Sequence, residues 1–339
     1  MSRILVVNAG STSLKLSIVN RTGASRQIDS YEQAAGEVDA VAHRVVHGGM
    51  RYFEPVVIDA GVRAALEELT ELAPLQNRAA LAAIGDAMDA LPQVPHLAVF
   101  DTAFHRTIPD EASTYALPAR WRDEWSIRRY GFHGLSVQWA AECVRVPRLV
   151  VCHLGGGCSV TAVRDGRSVD TTMGFSPLEG VPMATRSGSI DAKIVLHLLR
   201  TRKLALEEIE HALESESGLL GLSGETARVE ELERSSSPEA RLALDVFAHR
   251  VAAAVASMAT ALGGIDALVF TAGIGEGSAN VRRNVCERLR FLGVELDTEL
   301  NADAVPDVDV NASGASVRIV VLHAREDVSA ARAAQEALR

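Results

Sequence analysis

Apolar and polar positions along this chain fall into two alternating kinds of pattern. Ile4-Leu5-Val6-Val7 is an unbroken apolar run, as a strand buried on both faces requires. Asn8–Ser13 is a run of small polar residues, and Leu14–Val19 alternates, so Arg3–Val19 reads as strand, tight turn and strand. The same unit recurs at Arg148–Val163. There Leu149–Cys152 is the apolar run, His153–Gly157 the turn and Cys158–Val163 the return strand, with Arg164-Asp165-Gly166-Arg167 as an Asp-Gly hairpin turn. Between the two, Ala60–Leu91 has helical periodicity closed by Pro92, and a strand at Leu97–Phe100 ends in Asp101-Thr102. Further on, helices are expected over about Asp191–Arg202 and Glu239–Leu262, the second stopped by Gly263-Gly264. A buried strand, Ala267–Phe270, leads into a glycine-rich turn, Ala272–Gly277, and a helix starts near Ser278. Leu219–Glu225 and Ser235–Pro238 read as loops. Strands alternating with helices predict an α/β fold, and the repeated strand–turn–strand unit predicts two similar halves with the ligand site in the cleft between them.

A length of 339 residues suits roughly two domains at about 150 residues each. With 47% hydrophobic and 23% charged residues there is ample apolar material to offset chain entropy, so dominant disorder is excluded. The longest uncharged helix-like stretch, Val251–Ile265, falls short of a membrane span, and the N-terminal apolar run is too short for a signal-peptide core; a cytoplasmic location without membrane association is expected. A net charge of −10 argues against a nucleic-acid partner. Cys143, Cys152, Cys158 and Cys286 show no metal-ligand spacing and read as buried reduced thiols. Only Lys15, Lys193 and Lys203 are lysines, so arginine is the default cation and carries meaning only inside a motif.

Three glycine turns follow three strands. In the first, backbone N–H groups and the Ser11, Thr12 and Ser13 hydroxyls can donate to phosphate oxygens, with Lys15 adding charge or facing solvent. Gly155-Gly156-Gly157 makes the same offer, and Ala272–Gly277 lies between a strand and a helix, as nucleotide contact requires, without the G-x-G-x-x-G spacing. One such turn is commonplace. Three are not.

These pieces resemble the acetate kinase family, within the acetate and sugar kinase, Hsp70 and actin superfamily. The resemblance rests on VVNAGSTSLK at 6–15, HRVVHGG at 43–49, VFDTAFH at 99–105, RRYGFHG at 128–134, VDTTMGFSPLEG at 169–180, TRSGSID at 185–191 and VFTAGIGE at 269–276. It implies two ribonuclease H-like (actin-like ATPase) domains: residues 1–105 with 327–339, and residues 106–326. It also implies Mg²⁺-dependent phosphoryl transfer between ATP and a short-chain carboxylate, with Mn²⁺ as a substitute metal, and a homodimer. By the same resemblance, Arg44, Asp101, His133 and Arg186 are catalytic. Arg44, Val46, Leu75, Phe132 and Pro177 hold the acid. Ser11, Ser13, Lys15, His153, Gly155, Gly156, Gly157, Arg228, Gly273, Ile274, Gly275 and Gly277 bind the nucleotide, and Asn8 and Glu326 position the metal. Arginine suits planar, bidentate contact with carboxylate and phosphoryl oxygens, and an acetate-like nucleophile is already ionised at neutral pH, so no general base is needed.

The chain also departs from the family pattern. Gly156 and Gly277 stand where the family has asparagines, and Thr226-Ala227-Arg228 stands where it has an Asp-Phe-Arg triplet. Gln76 and Val137 replace histidines. Most of these changes fall on the nucleotide side, which motivates two alternatives: a carboxylate kinase with another donor such as pyrophosphate, and a non-catalytic binding or regulatory homologue.

Overall fold

The computed structural model of the chain describes residues 3–10, 14–72 and 74–339, with backbone alone at 71, 72 and 74–76. The expected phosphate contacts Ser11 and Ser13, and the Leu75 and Gln76 side chains, lie outside the described residues.

The first six strands are β1 (Arg3–Ala9), β2 (Leu14–Asn20), β3 (Ser25–Ile28), β4 (Ala40–Val45), β5 (Val56–Val57) and β6 (His96–Phe100). They form one sheet in the order β3-β2-β1-β4-β6-β5. The next six are β7 (Arg148–Leu154), β8 (Cys158–Arg164), β9 (Arg167–Thr171), β10 (Ala267–Thr271), β11 (Val308–Asp309) and β12 (Arg318–Val321), in the order β11-β12-β10-β7-β8-β9. Read from the other edge, the second order is the first with each strand replaced by its counterpart. The pairings agree as well: β1 runs antiparallel to β2 and parallel to β4, as β7 does to β8 and β10. The duplication expected from two short segments therefore extends over two complete six-stranded sheets.

The chain divides into two compact units: residues 1–107, 115–139 and 325–339, and residues 108–114 with 140–324. Residues 115–139, assigned with the second half on sequence, belong to the first unit. In that unit β1 is apolar on both faces because both faces are covered. Ile4 and Val6 pack with Val328, Ala331 and Ala334 of the helix Glu326–Ala337, while Leu5 and Val7 pack on the other side with Ala83 and Leu91. In the second unit the helix Pro238–Leu262 buries Ala243, Phe247, Val251, Val255 and Ala259 at its i, i+4 spacing. At 25 residues it matches the helix expected over about Glu239–Leu262, and it is long and apolar enough to span a membrane by length and composition. Its buried face packs against β7, β8 and β9, the arrangement of a core helix.

Other expectations need correction. The turn Ala272–Gly277 is a short helix, as is Gly218–Ser223 within the expected loop 219–225. The Asp191–Arg202 helix is Ala192–His197 followed by a wider turn through Arg202. Cys143 is exposed at the end of the helix Gly134–Cys143, whereas Cys152, Cys158 and Cys286 are buried.

Candidate functional site

In the first unit β1, β4 and β6 run parallel and end side by side, where an α/β sheet characteristically presents its chemistry. Asn8 lies near the end of β1, Arg44 near the end of β4, and Asp101 directly after β6. Glu326 opens the helix that returns to this sheet. Arg44 joins all three. Its Nε lies 3.1 Å from each Asp101 carboxylate oxygen, one terminal nitrogen is 2.5 Å from Oδ2, and the other donates to Asn8 Oδ1 at 3.0 Å. That second nitrogen also lies 3.4 Å from Glu326 Oε2, to which Asn8 Nδ2 donates at 3.3 Å. Burial opposes the guanidinium charge, but Asp101 and Glu326 outweigh it and raise the Arg44 pKa. Burial pushes the Asp101 carboxyl up, against the pull of Arg44.

The loop before the helix Gly134–Cys143 completes this group. His133, half-buried, has a left-handed backbone at φ 60°, costly for a residue with a side chain. That turn aims the His133 N–H at the Asp101 carboxylate, and the Gly134 N–H donates to the Asp101 carbonyl oxygen at 3.0 Å. A methyl group at Gly134 would collide with that oxygen, so the close approach requires glycine. Buried Phe132 offers its carbonyl to His105 Nε2 at 2.9 Å. Burial pushes the His105 pKa down to about 4, so the ring is neutral and its Nε2–H is the donor. Val46 is also buried, and Lys15 is exposed on β2 opposite Asn8.

In the second unit the β7–β8 turn is closed by the Gly155 N–H donating to Gly157 O at 3.0 Å and Cys158 Sγ to Gly155 O at 3.3 Å. Gly156 O accepts from the Ala184 N–H at 3.2 Å, tying the turn to the segment that carries Arg186. Arg186 donates to the Pro177 carbonyl at 3.3 Å, and burial lowers its pKa against the opposing pull of Glu214. His153 is buried on β7. Arg228 is exposed and paired with Glu230 and Glu231 at 3.6 and 3.3 Å. Gly273, Ile274, Gly275 and Gly277 all lie in the short helix after β10. At Gly156, Gly273 and Gly277 a Cβ would meet nothing within 4 Å and φ is not left-handed, so the chain itself does not require glycine there. Bare backbone at such positions suits the close approach of a ligand.

The sequence reading overlooked the supports of that short helix. Glu276 Oε1 accepts from the Ala272 and Ala324 N–H groups, both at 2.9 Å, and Oε2 meets His323 Nδ1 at 2.8 Å. Arg282, fully buried, donates to the Gly275 and Glu276 carbonyls at 2.9 and 2.7 Å and to Asn301. The available signal was a carboxylate placed inside a run of glycines.

Among the described residues no group of three or more His, Cys, Asp or Glu could hold a metal. Asn8 and Glu326 bring one amide and one carboxylate together, the amide nitrogen facing Glu326 Oε2 and the amide oxygen accepting from Arg44. That sparse, hard donor set fits a magnesium-like ion that keeps most of its water and takes its other ligands from substrate phosphates.

The chain is similar to known proteins of one family. A profile of the acetokinase family matches residues 24–332. An acetate kinase of Gloeobacter violaceus is 46% identical over 316 residues, covering 89% of this chain and 78% of the relative. Among solved structures, a propionate kinase of Francisella tularensis superposes with a TM-score of 0.91 at 34% identity, covering 98% of this chain and 99% of its own. An acetate kinase of Porphyromonas gingivalis superposes with a TM-score of 0.88 at 29% identity over the whole of both chains.

Proposed function

Because this chain belongs to the acetokinase family, a family of carboxylate phosphotransferases, we propose that the residues described above carry phosphoryl transfer between ATP and acetate, giving acetyl phosphate and ADP. The observation that carries this reading is Arg44, locked by buried Asp101 at the ends of three parallel strands.

The acid arrives ionised, and Arg44 presents a planar fork that orients its carboxylate for attack. Asp101 does not take a proton from the acid; it holds the guanidinium in place. Arg186 neutralises charge on the equatorial oxygens of the transferring phosphoryl group, and His133 donates a hydrogen bond to the same group. Val46, Leu75, Phe132 and Pro177 are assigned to the alkyl end of the acid. Lys15, His153 and Gly155–Gly157 take the phosphates of the nucleotide, together with Ser11 and Ser13. Gly273–Gly275, Gly277 and Arg228 serve the nucleoside. Asn8 and Glu326 would hold Mg²⁺ through its waters, and the ion would neutralise polyphosphate charge.

Acyl phosphate trapped as the hydroxamate tests this reading, with acetate, propionate and butyrate offered against ATP–Mg²⁺ and against pyrophosphate. Turnover with ATP that disappears in Arg186→Ala is expected. Product with pyrophosphate alone, or no product from a folded protein, overturns it. A homodimer and a cytoplasmic location belong to the same proposal. The exposed apolar side chains of Ile190, Ile194, Leu196 and Leu206, along one stretch of the second unit, support an interface there.

A further inference from the structure

Four times the chain passes from one unit to the other, the last time between Ala324 and Arg325. Glu326, the carboxylate that meets Asn8 and Arg44, follows one residue later. Each side of this passage is pinned. On the second-unit side three successive backbone N–H groups are held: Leu322 by Phe270 O at 2.9 Å, His323 by Asp307 Oδ1 at 3.0 Å, and Ala324 by Glu276 Oε1 at 2.9 Å. On the first-unit side Arg325 donates to Gly23 O at 2.8 Å and lies 3.6 Å from Asp327, with its guanidinium 6.0 Å from the centre of the Trp139 ring. Arg332 faces the same ring at 5.2 Å.

Glu276 is the one member of this arrangement that also belongs to the short glycine-rich helix. The oxygen that holds Ala324 holds the N–H of Ala272, the first residue of that helix, whose left-handed φ of 65° is unfavourable for alanine. The other oxygen is fixed by His323. A carboxylate bonded this way keeps both backbone segments in one register, so a shift of the helix moves Ala324 with it.

We propose that Glu276 is a positioning residue of the phosphoryl-transfer site: one carboxylate sets both the glycine-rich helix on the nucleotide side and the lead-in to Glu326, so that nucleotide binding at the first steadies the second. The proposal rests on reading Gly273, Ile274, Gly275 and Gly277 as nucleotide-binding. It does not require the negative charge. Glutamine could accept both N–H bonds at its carbonyl oxygen and donate from its amide to His323 Nδ1.

The test compares Glu276→Gln and Glu276→Ala with the unaltered protein by steady-state kinetics, ADP calorimetry and amide exchange over residues 322–328. Glu276→Gln is expected to stay within about threefold in every parameter, while Glu276→Ala raises the KM for ATP about tenfold or more and leaves that for acetate little changed. ADP should slow exchange over 322–328 in the unaltered protein and in Glu276→Gln, but not in Glu276→Ala. Should Glu276→Ala fail to fold, Glu276→Asp, one methylene too short to hold both N–H groups, is expected to show the same losses. Unchanged ATP kinetics and retained ADP-dependent protection in the folded alanine or aspartate variant overturn the proposal alone, and so does a glutamine variant as impaired as either. Failure of the unaltered protein to bind ADP overturns both the nucleotide reading and the proposal.

Discussion

Arg44 holds the charge of a buried carboxylate, and in the proposed function its fork also meets the acid. Removing it leaves Asp101, 1% exposed, with no counter-charge. Arg44→Ala is therefore expected to lose about 3–5 kcal/mol of stability in urea unfolding, part of which the double variant with Asp101→Ala should recover. Its kcat should fall by about 100-fold or more, the cost typical of losing one well-placed donor to a reacting oxygen. Arg44→Lys keeps the charge but not the fork, and should recover stability better than rate. Asn8, Arg44, Asp101 and Glu326 were legible as separate motif residues, and the structure adds that one guanidinium connects them. Glu276 was not legible in the same way. Its partners at 323 and 324 lie 47 and 48 residues away, a separation that no local pattern encodes.

At the scale of elements, two glycines that look alike in the sequence have different physical grounds. Gly134 meets the Asp101 backbone, so Gly134→Ala should lower the melting temperature sharply, because a backbone atom cannot swing aside as a side chain can. Gly156 has open space around it, so Gly156→Ala should melt with the unaltered protein while raising the KM for ATP. The strands were read well because apolar runs covered on both faces leave little alternative. The short helix 272–277 was misread because three glycines in six residues argue against helix. Tertiary bonds override that propensity, since Glu276 caps the Ala272 N–H and Arg282 takes the last carbonyls.

Buried histidines give the first unit a pH dependence. His43 on β4 bonds His96 at 3.0 Å, and burial pushes its pKa down to about 3; His105 is pushed down to about 4. Both values lie below the ordinary 6.5, so the unfolded chain takes up the protons first. The stability these groups contribute is present above about pH 6.5 and is lost as the pH falls towards the folded values. Each should steepen the loss by about 1.4 kcal/mol per pH unit across that window. Urea midpoints at pH 7, 6 and 5 measure it. His105→Gln, whose amide can still donate to Phe132 O, should remove one proton's share of the slope.

Across the whole molecule, two sheets share one strand order while their loops have diverged in chemistry. The first unit carries the ionic group around Arg44, and the second carries Arg186 and the bare glycine backbone. That duplication was visible in two hairpins, but the membership of residues 115–139 was not, because a chain that leaves a unit and returns breaks no periodicity. If the exposed apolar stretch at 190–206 forms the homodimer face, Ile194→Asp should shift sedimentation from dimer to monomer without lowering the melting temperature of the isolated protomer.

The helix Glu326–Ala337 has a consequence for the order of events during synthesis. It covers one face of the first sheet and brings Glu326 to Arg44, yet the ribosome makes it after the whole second unit. At about 5–20 residues per second, roughly ten seconds or more separate the last earlier residue of the first unit from this helix. Throughout that interval Ile4, Val6, Ala42 and Val99 lack part of their cover, while the second unit already has all its residues before the chain turns back. The half that is translated first is thus the half that matures last, and a nascent chain stalled anywhere before Glu326 carries an open apolar face for chaperones to bind and an ionic group around Arg44 that lacks its second carboxylate.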